Sequence, residues 1–281
     1  MHRFRMLFIV GGVLLAIGLV GSLMTSGSMA TSHSVIEEIV EQEVDDIYVY
    51  SNNTRINIYP TDESTIKVEF QGDVSRHQLT TEVEGASLSV RLEGKNRLKF
   101  IDLNLFSKPQ ELSVFVPERI YKSVELDTRN GRIQVSNVEA ENFQVKTNNG
   151  RIEMNDITST SIKGSSDNGR IDLRNVSASS LEVHTHNGRI ELDGVLGDIK
   201  ASSNNGRLTL YTEKLDRNIE LETHNGRITI ETEEEPTNVI YDVKTNNGSI
   251  SIMGSSNWDT LVGDGDHIVK LTSRNGSITV E

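Results

Sequence analysis

The chain has 281 residues, 41 acidic against 28 basic, a formal charge of −13 and no cysteine. That balance argues against nucleic acid, where binding rests on neutralising phosphates with Lys and Arg, and the missing thiols exclude disulfides, Cys-based metal sites and a lipid-modified cysteine. Aromatic residues make up only 5% of the chain, so its core is expected to be thin layers of aliphatic side chains rather than a broad globule.

Residues 7–24 carry no charge. As a helix they span about 27 Å, close to the roughly 30 Å hydrocarbon core of a bilayer. Arg3 and Arg5 precede this run and no Lys or Arg follows it until Arg55, so the positive-inside rule places the N-terminus in the cytoplasm and the rest of the chain outside. Residues 1–30 therefore read as a cytoplasmic tip and a single-pass membrane anchor. A cleaved signal peptide is the rival, because Ser28-Met29-Ala30 offers small residues at the cleavage positions, but the apolar run exceeds the usual length of about 7 to 15 residues.

Residues 31–45 read as an acidic juxtamembrane spacer. Glu37, Glu38, Glu41, Glu43, Asp45 and Asp46 accompany Val35, Ile36, Ile39 and Val40, which are spaced as on a helix. Anionic headgroups would repel such an acidic face and hold the outer domain off the membrane. A β-repeat domain is then expected over 46–281, most regular over 118–281. Its first unit looks like a worn copy, in which Ile47, Val49 and Ser51 lead to Asn53, Thr54, Arg55, Ile56 and Ile58. Strand-like runs at 66–70, 88–92 and 112–116 cap or begin the array.

The regular part is marked by eight Asn-Gly pairs, at Asn130, Asn149, Asn168, Asn187, Asn205, Asn225, Asn247 and Asn275, with steps of 19, 19, 19, 18, 20, 22 and 28 residues. A fixed period near 20 signals a solenoid. Positions six and four before each Asn are mostly apolar or small, from Val124/Leu126 to Val269/Leu271, and positions three and five after it run from Ile133/Val135 to Ile278/Val280. This period-two alternation marks half-buried strands. Two before each Asn stands a hydroxyl, Thr128, Thr147, Ser166, Thr185, Ser203, Thr223, Thr245 or Ser273, which predicts an inner ladder of bonded hydroxyls. Each Asn-Gly is read as a corner where φ must be positive, as glycine tolerates. A third apolar station, Val138, Ile157, Val176 and Val195, fades at Glu213 and Glu233.

Two architectures fit. In a parallel solenoid each coil lies over the last and equivalent residues stack; in an antiparallel meander Asn-Gly is a two-residue hairpin turn. The solenoid is favoured, because identities repeat from unit to unit whereas residues facing each other across a hairpin do not match. The fold class is thus all-β, a β-solenoid of about 19-residue repeats behind a single N-terminal transmembrane helix.

The run Glu111-Leu112-Ser113-Val114-Phe115-Val116-Pro117, followed by Val124-Glu125-Leu126-Asp127-Thr128-Arg129-Asn130-Gly131-Arg132-Ile133 and its copies, resembles the bacterial putative-adhesin family of unknown function, also called toastrack domains. The resemblance spans roughly 46–281. It implies a solenoid-like all-β ectodomain, a cell-surface location and no established catalysis, and its motif is a fold signature from which no functional residue carries over. With the short anchor, the chain is similar to membrane-anchored members encoded with a cell-envelope stress system, which implies a role in that response. Ser249 and Ser277 depart from the chain's own pattern by replacing an arginine.

That arginine directly follows Gly in six successive units, as Arg132, Arg151, Arg170, Arg189, Arg207 and Arg227. Stacked about 4.8 Å apart, such charges repel by roughly 0.9 kcal/mol per pair in water. Either the outward acids Glu153, Asp172 and Glu191 compensate them in a solvated mixed-charge ladder, or the stripe binds an anionic wall polymer through its guanidinium forks. His184, His186 and His224 lie near corners, but equivalent positions two coils apart are too distant for one metal ion, and they read as solvated turn residues. Gly263-Asp264-Gly265-Asp266 reads as a plain turn. No catalytic residue, cofactor or metal site is assigned, since no nucleophile elbow, phosphate loop or metal motif is present.

The function expected is that of a non-enzymatic, membrane-anchored cell-envelope protein displaying a binding or scaffolding surface, with the membrane, an envelope protein or an anionic wall polymer as partners. A β-helix glycan-active enzyme and a purely structural spacer are the alternatives.

Overall fold

The computed structural model describes residues 33–95 and 110–281; the anchor expected over 1–30 lies outside them. No helix among the described residues is long and apolar enough to cross a membrane. Their regular structure consists of 22 strands joined through one hydrogen-bonded network.

The middle of the molecule is a parallel stack. Strand Ile120–Thr128 pairs with Glu139–Thr147, then come Ile152–Ser166, Ile171–Thr185, Leu196–Ser203 and Ile219–Asn225, each parallel to the one before. The register is the one the period demands, with Val124, Phe143, Ile162, Leu181, Ile199 and Ile219 in one column. A second face aligns Ile133, Ile152, Ile171, Ile190, Leu208 and Ile228. All twelve are buried. The segments flanking each Asn-Gly pair with neighbouring coils and not with each other, which rules out the meander. One coil by itself cannot be stable: burying an aliphatic side chain contributes about 1.5–3 kcal/mol, and ordering each backbone residue costs about 1–2 kcal/mol. Stacking removes water from both sides of every layer, so the array stabilises itself.

The third apolar station is buried at Val138, Ile157, Val176 and Val195, and it does not end there, because Leu215, two residues past Glu213, is fully buried as well. Beside this station the backbone adopts positive φ at Asn137, Asp156 and Asn175 (52 to 55°) and at Gly194 (60°). This second corner overturns one expectation, since none of the Asn-Gly glycines has positive φ. Those glycines are required for a different reason, the closeness of the neighbouring backbone. A Cβ on Gly169 would lie 1.6 Å from the carbonyl oxygen of Gly150, and the same clash recurs between Gly188 and Gly169 and between Gly206 and Gly188.

The chain order breaks at both ends. Asp46–Ser51 lies between Ser87–Gly94 and Ile120–Thr128, and Arg55–Thr61 lies between Glu111–Pro117 and Ile133–Ser136. The worn copy is therefore a true coil, but a later segment covers it. At the other end the final coil, His267–Asn275 with Ile278–Val280, inserts between Ile219–Asn225 with Ile228–Thr232 and Val239–Asn247 with Ile250–Ile252. The spatial sequence of corners is thus Asn225, Asn275, Asn247, and the expectation of simple succession is corrected there.

The N-terminal end is closed by antiparallel strands. Ile66–Asp73 pairs with Glu111–Pro117, His77–Glu84 with Ser87–Gly94, and His33–Val40 with Ile66–Asp73. Residues 33–40 are therefore a strand, not the helix face their spacing suggested. The edge of Ile66–Asp73 has backbone donors and acceptors to satisfy, and pairing with it leaves Val40 buried while Val35 and Ile39 stay exposed.

Candidate binding surface at the Asn-Gly corner

The Asn-Gly corner is built from two ladders. Outside, each asparagine amide donates to the carbonyl of the asparagine in the adjacent coil: Asn149 to Asn130 at 2.7 Å, Asn168 to Asn149 at 2.8 Å, and so on through Asn275 to Asn225 at 2.7 Å and Asn247 to Asn275 at 2.8 Å. The worn coil takes part, with Asn130 donating to Asn53 at 2.6 Å. Inside, from Thr147 on, the hydroxyl two residues earlier donates to a glycine carbonyl of the adjacent coil, as Thr185 does to Gly169 at 3.3 Å and Ser273 to Gly226 at 3.0 Å, while Thr128, whose adjacent coil has Thr54 in place of the glycine, bonds none. The expected hydroxyl ladder exists, but its acceptors are glycine carbonyls and not other hydroxyls. The amide ladder was not anticipated; the signal was asparagine's recurrence at one position of a parallel stack.

Against this scaffold the arginine stripe divides in two. Arg132, Arg151 and Arg170 are half-buried and each faces a carboxylate. Arg151 bonds Glu153 at 2.9 Å and approaches Asp172 at 3.8 Å; Arg170 bonds Asp172 and reaches Glu191 in the next coil at 2.6 Å. Arg132 lies 3.8 Å from Glu153, and Glu191 also takes Arg174 at 3.8 Å. Burial pushes the Asp172 carboxyl above its ordinary range, against the pull of Arg170. Glu153 holds the Arg151 guanidinium more firmly protonated. In this half the mixed-charge ladder is realised.

Arg189, Arg207 and Arg227 are exposed. No carboxylate among the described residues bonds any of the three, and Arg227 Nε donates instead to Ser277 Oγ at 3.0 Å. The cause is local sequence. In the coil that follows, Arg132, Arg151 and Arg170 meet Glu153, Asp172 and Glu191, whereas Arg189 and Arg207 meet Thr209 and Thr229; Glu191, two residues past Arg189, faces Arg170 and Arg174 instead.

His184 and His186 meet edge to face with ring centroids 4.8 Å apart. His184 Nδ1 lies 2.9 Å from Ser202 Oγ and His186 Nδ1 lies 3.2 Å from Asp167. Burial, followed by the charge of His186, lowers the His184 pKa. His224 stands two coils further along, at the position equivalent to His186, with Asn204 in the coil between. The loop at Gly263 and Gly265 has positive φ at both glycines, and Asp266 is bonded through its backbone N–H and its carboxylate to Asn238 at 2.9 Å each. It is a turn tied to the preceding coil.

Residues 44–281 match the family model described as Toastrack DUF4097. Among solved structures, the chain is similar to a "putative adhesin" from Bacteroides fragilis, with 14% identity over 89% of this chain and 99% of that one and a TM-score of 0.57. Another "putative adhesin", from Parabacteroides distasonis, has 11% identity over 89% of this chain and 98% of that one, with a TM-score of 0.48. The likeness of fold rests on the former. No curated protein matches the chain.

Proposed function

This chain belongs to the Toastrack DUF4097 family, and from that premise we propose that it is a non-enzymatic, membrane-anchored envelope protein whose extracytoplasmic solenoid binds an anionic surface polymer. The observation that carries the reading is the split in the stripe. The same arginine column is neutralised by carboxylates through Arg170 and left open at Arg189, Arg207 and Arg227. Open guanidinium forks at regular spacing match phosphate or carboxylate groups. The anchor rests on the uncharged run at 7–24 and its flanking arginines, and the link to envelope stress rests on resemblance.

The test compares two triple variants for retention on isolated anionic wall polymer. Arg189→Glu/Arg207→Glu/Arg227→Glu is expected to lose binding at least about tenfold, the scale of one or more charge-assisted contacts. Arg132→Glu/Arg151→Glu/Arg170→Glu is expected to change stability more than retention. Unchanged retention in the first variant removes the binding role. For the anchor, the full chain is expected to sediment with membranes and a chain starting at residue 33 is expected to stay in solution; a full chain free of membranes would refute that part.

A further inference from the structure

Resting on that reading, we propose that the anion site crosses the amide ladder and has a second row of donors, His224 and Arg274, which the interleaved final coil brings opposite Arg207 and Arg227. Sequence order places Arg274 at the end of the chain, 50 residues from its spatial neighbour. The fold seats it in the coil directly against the Asn225 coil, with Asn275 in register with Asn225. Arg274 and His224 are both exposed and stand immediately before the asparagine of their coils, just as Arg207 and Arg227 stand just past the glycine. The ladder of amides from Asn205 through Asn225 and Asn275 to Asn247 runs between the two rows.

Two observations favour an anion there. The stretch from one residue before Asn to four after it reads Asn-Asn-Gly-Arg-Leu-Thr at 204–209, His-Asn-Gly-Arg-Ile-Thr at 224–229, Arg-Asn-Gly-Ser-Ile-Thr at 274–279 and Asn-Asn-Gly-Ser-Ile-Ser at 246–251. These four adjacent coils hold three arginines and a histidine and no carboxylate, on a chain whose net charge is −13. In addition, the bond from Arg227 Nε to Ser277 Oγ draws that guanidinium toward the coil that carries Arg274. Two like charges thus stand on adjacent coils with no acid in the stretches between them, an arrangement that repels itself until an oxyanion lies across it. Each asparagine Nδ2 spends one hydrogen on the ladder and has a second to offer. The ligand class is a linear oxyanion polymer whose phosphate or carboxylate groups recur along the solenoid axis.

The experiment measures binding of the full chain to linear inorganic polyphosphate and to polygalacturonate at fixed low salt, with double-stranded DNA as a third probe. Arg274→Gln and His224→Gln together are expected to weaken binding to the preferred polymer about tenfold. Arg129→Gln, at the same corner position in the neutralised half, is expected to change it less than about twofold. Preference for polyphosphate or polygalacturonate identifies the oxyanion; tighter binding to DNA overturns the assignment to a surface polymer. If the Arg189/Arg207/Arg227 variant abolishes binding and the Arg274/His224 variant does not, the second row is refuted and the stripe stands. If neither variant changes binding, both readings fall. Circular dichroism and a thermal melt of each variant establish that the loss is not one of folding, and these side chains are solvent-exposed.

Discussion

The two halves of the Asn-Gly corner share one backbone and differ in what the backbone carries. Through Arg170 the guanidiniums are half-buried against Glu153, Asp172 and Glu191; from Arg189 onward no carboxylate among the described residues bonds them, and threonine replaces the acid in the coil that follows. The glycine, the inner hydroxyl and the asparagine continue across both halves. Features that hold the coils together are therefore uniform, and charge is the property that varies. A column of like residues is not by itself a site, and its chemistry depends on the adjacent column.

The largest effect expected tests the shared scaffold. Gly169→Ala places a methyl 1.6 Å from the Gly150 carbonyl in the middle of the stack, where neither coil can yield, whereas Gly248→Ala meets Gly276 at 2.1 Å in the outermost parallel coil. Urea unfolding is expected to register a loss of about 3 kcal/mol or more for the first and clearly less for the second. Equal losses would mean that closeness of neighbouring backbones is not why glycine is needed.

A smaller effect is expected from exchanging the charge pattern between halves. Glu153→Gln/Asp172→Asn/Glu191→Gln frees the first three arginines and is expected to increase polyanion retention several-fold; Thr209→Glu/Thr229→Glu closes the open half and is expected to reduce it about tenfold. If retention follows neither change, the contrast between halves is unrelated to binding.

The smallest effect concerns pH. In the open half Glu220 is held below its ordinary range by a hydrogen bond from Lys270, with Lys200 assisting. Its contribution is therefore complete above the unfolded glutamate value and is lost as pH falls through the folded one. Asp172 has the opposite sign. Burial raises its folded pKa, so its contribution is present below the unfolded aspartate value and is lost as pH rises through the folded one. Between pH 3 and 6, Glu220→Gln is expected to flatten the rise of Tm with pH and Asp172→Asn to steepen it, each by about 1–2 °C. The same direction of change in both would contradict the assignment.

Much of the centre was legible because the information is local. The columns from Val124 to Ile219 and from Ile133 to Ile228 follow from spacing alone, and so does the buried hydroxyl at Thr147 or Thr185. The neutralised half of the stripe could also be read, since Glu153 and Asp172 sit two residues past their arginines. Strand His33–Val40 was missed because Val35, Ile36, Ile39 and Val40 satisfy a helical period, while the deciding partner, the edge of Ile66–Asp73, lies about thirty residues away. Leu215 was missed because a 20-residue coil moves the third station by two positions.

The amino-acid sequence by itself determined that coils stack in parallel and in register, since a repeated alternation buries its apolar set in one parity only. The tertiary structure alone decided which coil adjoins which. Near-identical coils present near-identical edges, so their pairing energies barely distinguish Asn275 from Asn247 as the neighbour of Asn225. The excursion between Ile252 and His267 lets the chain pass back inside its own last turn, and the amide ladder then closes in the order Asn225, Asn275, Asn247. That order, absent from any local pattern, sets Arg274 beside His224.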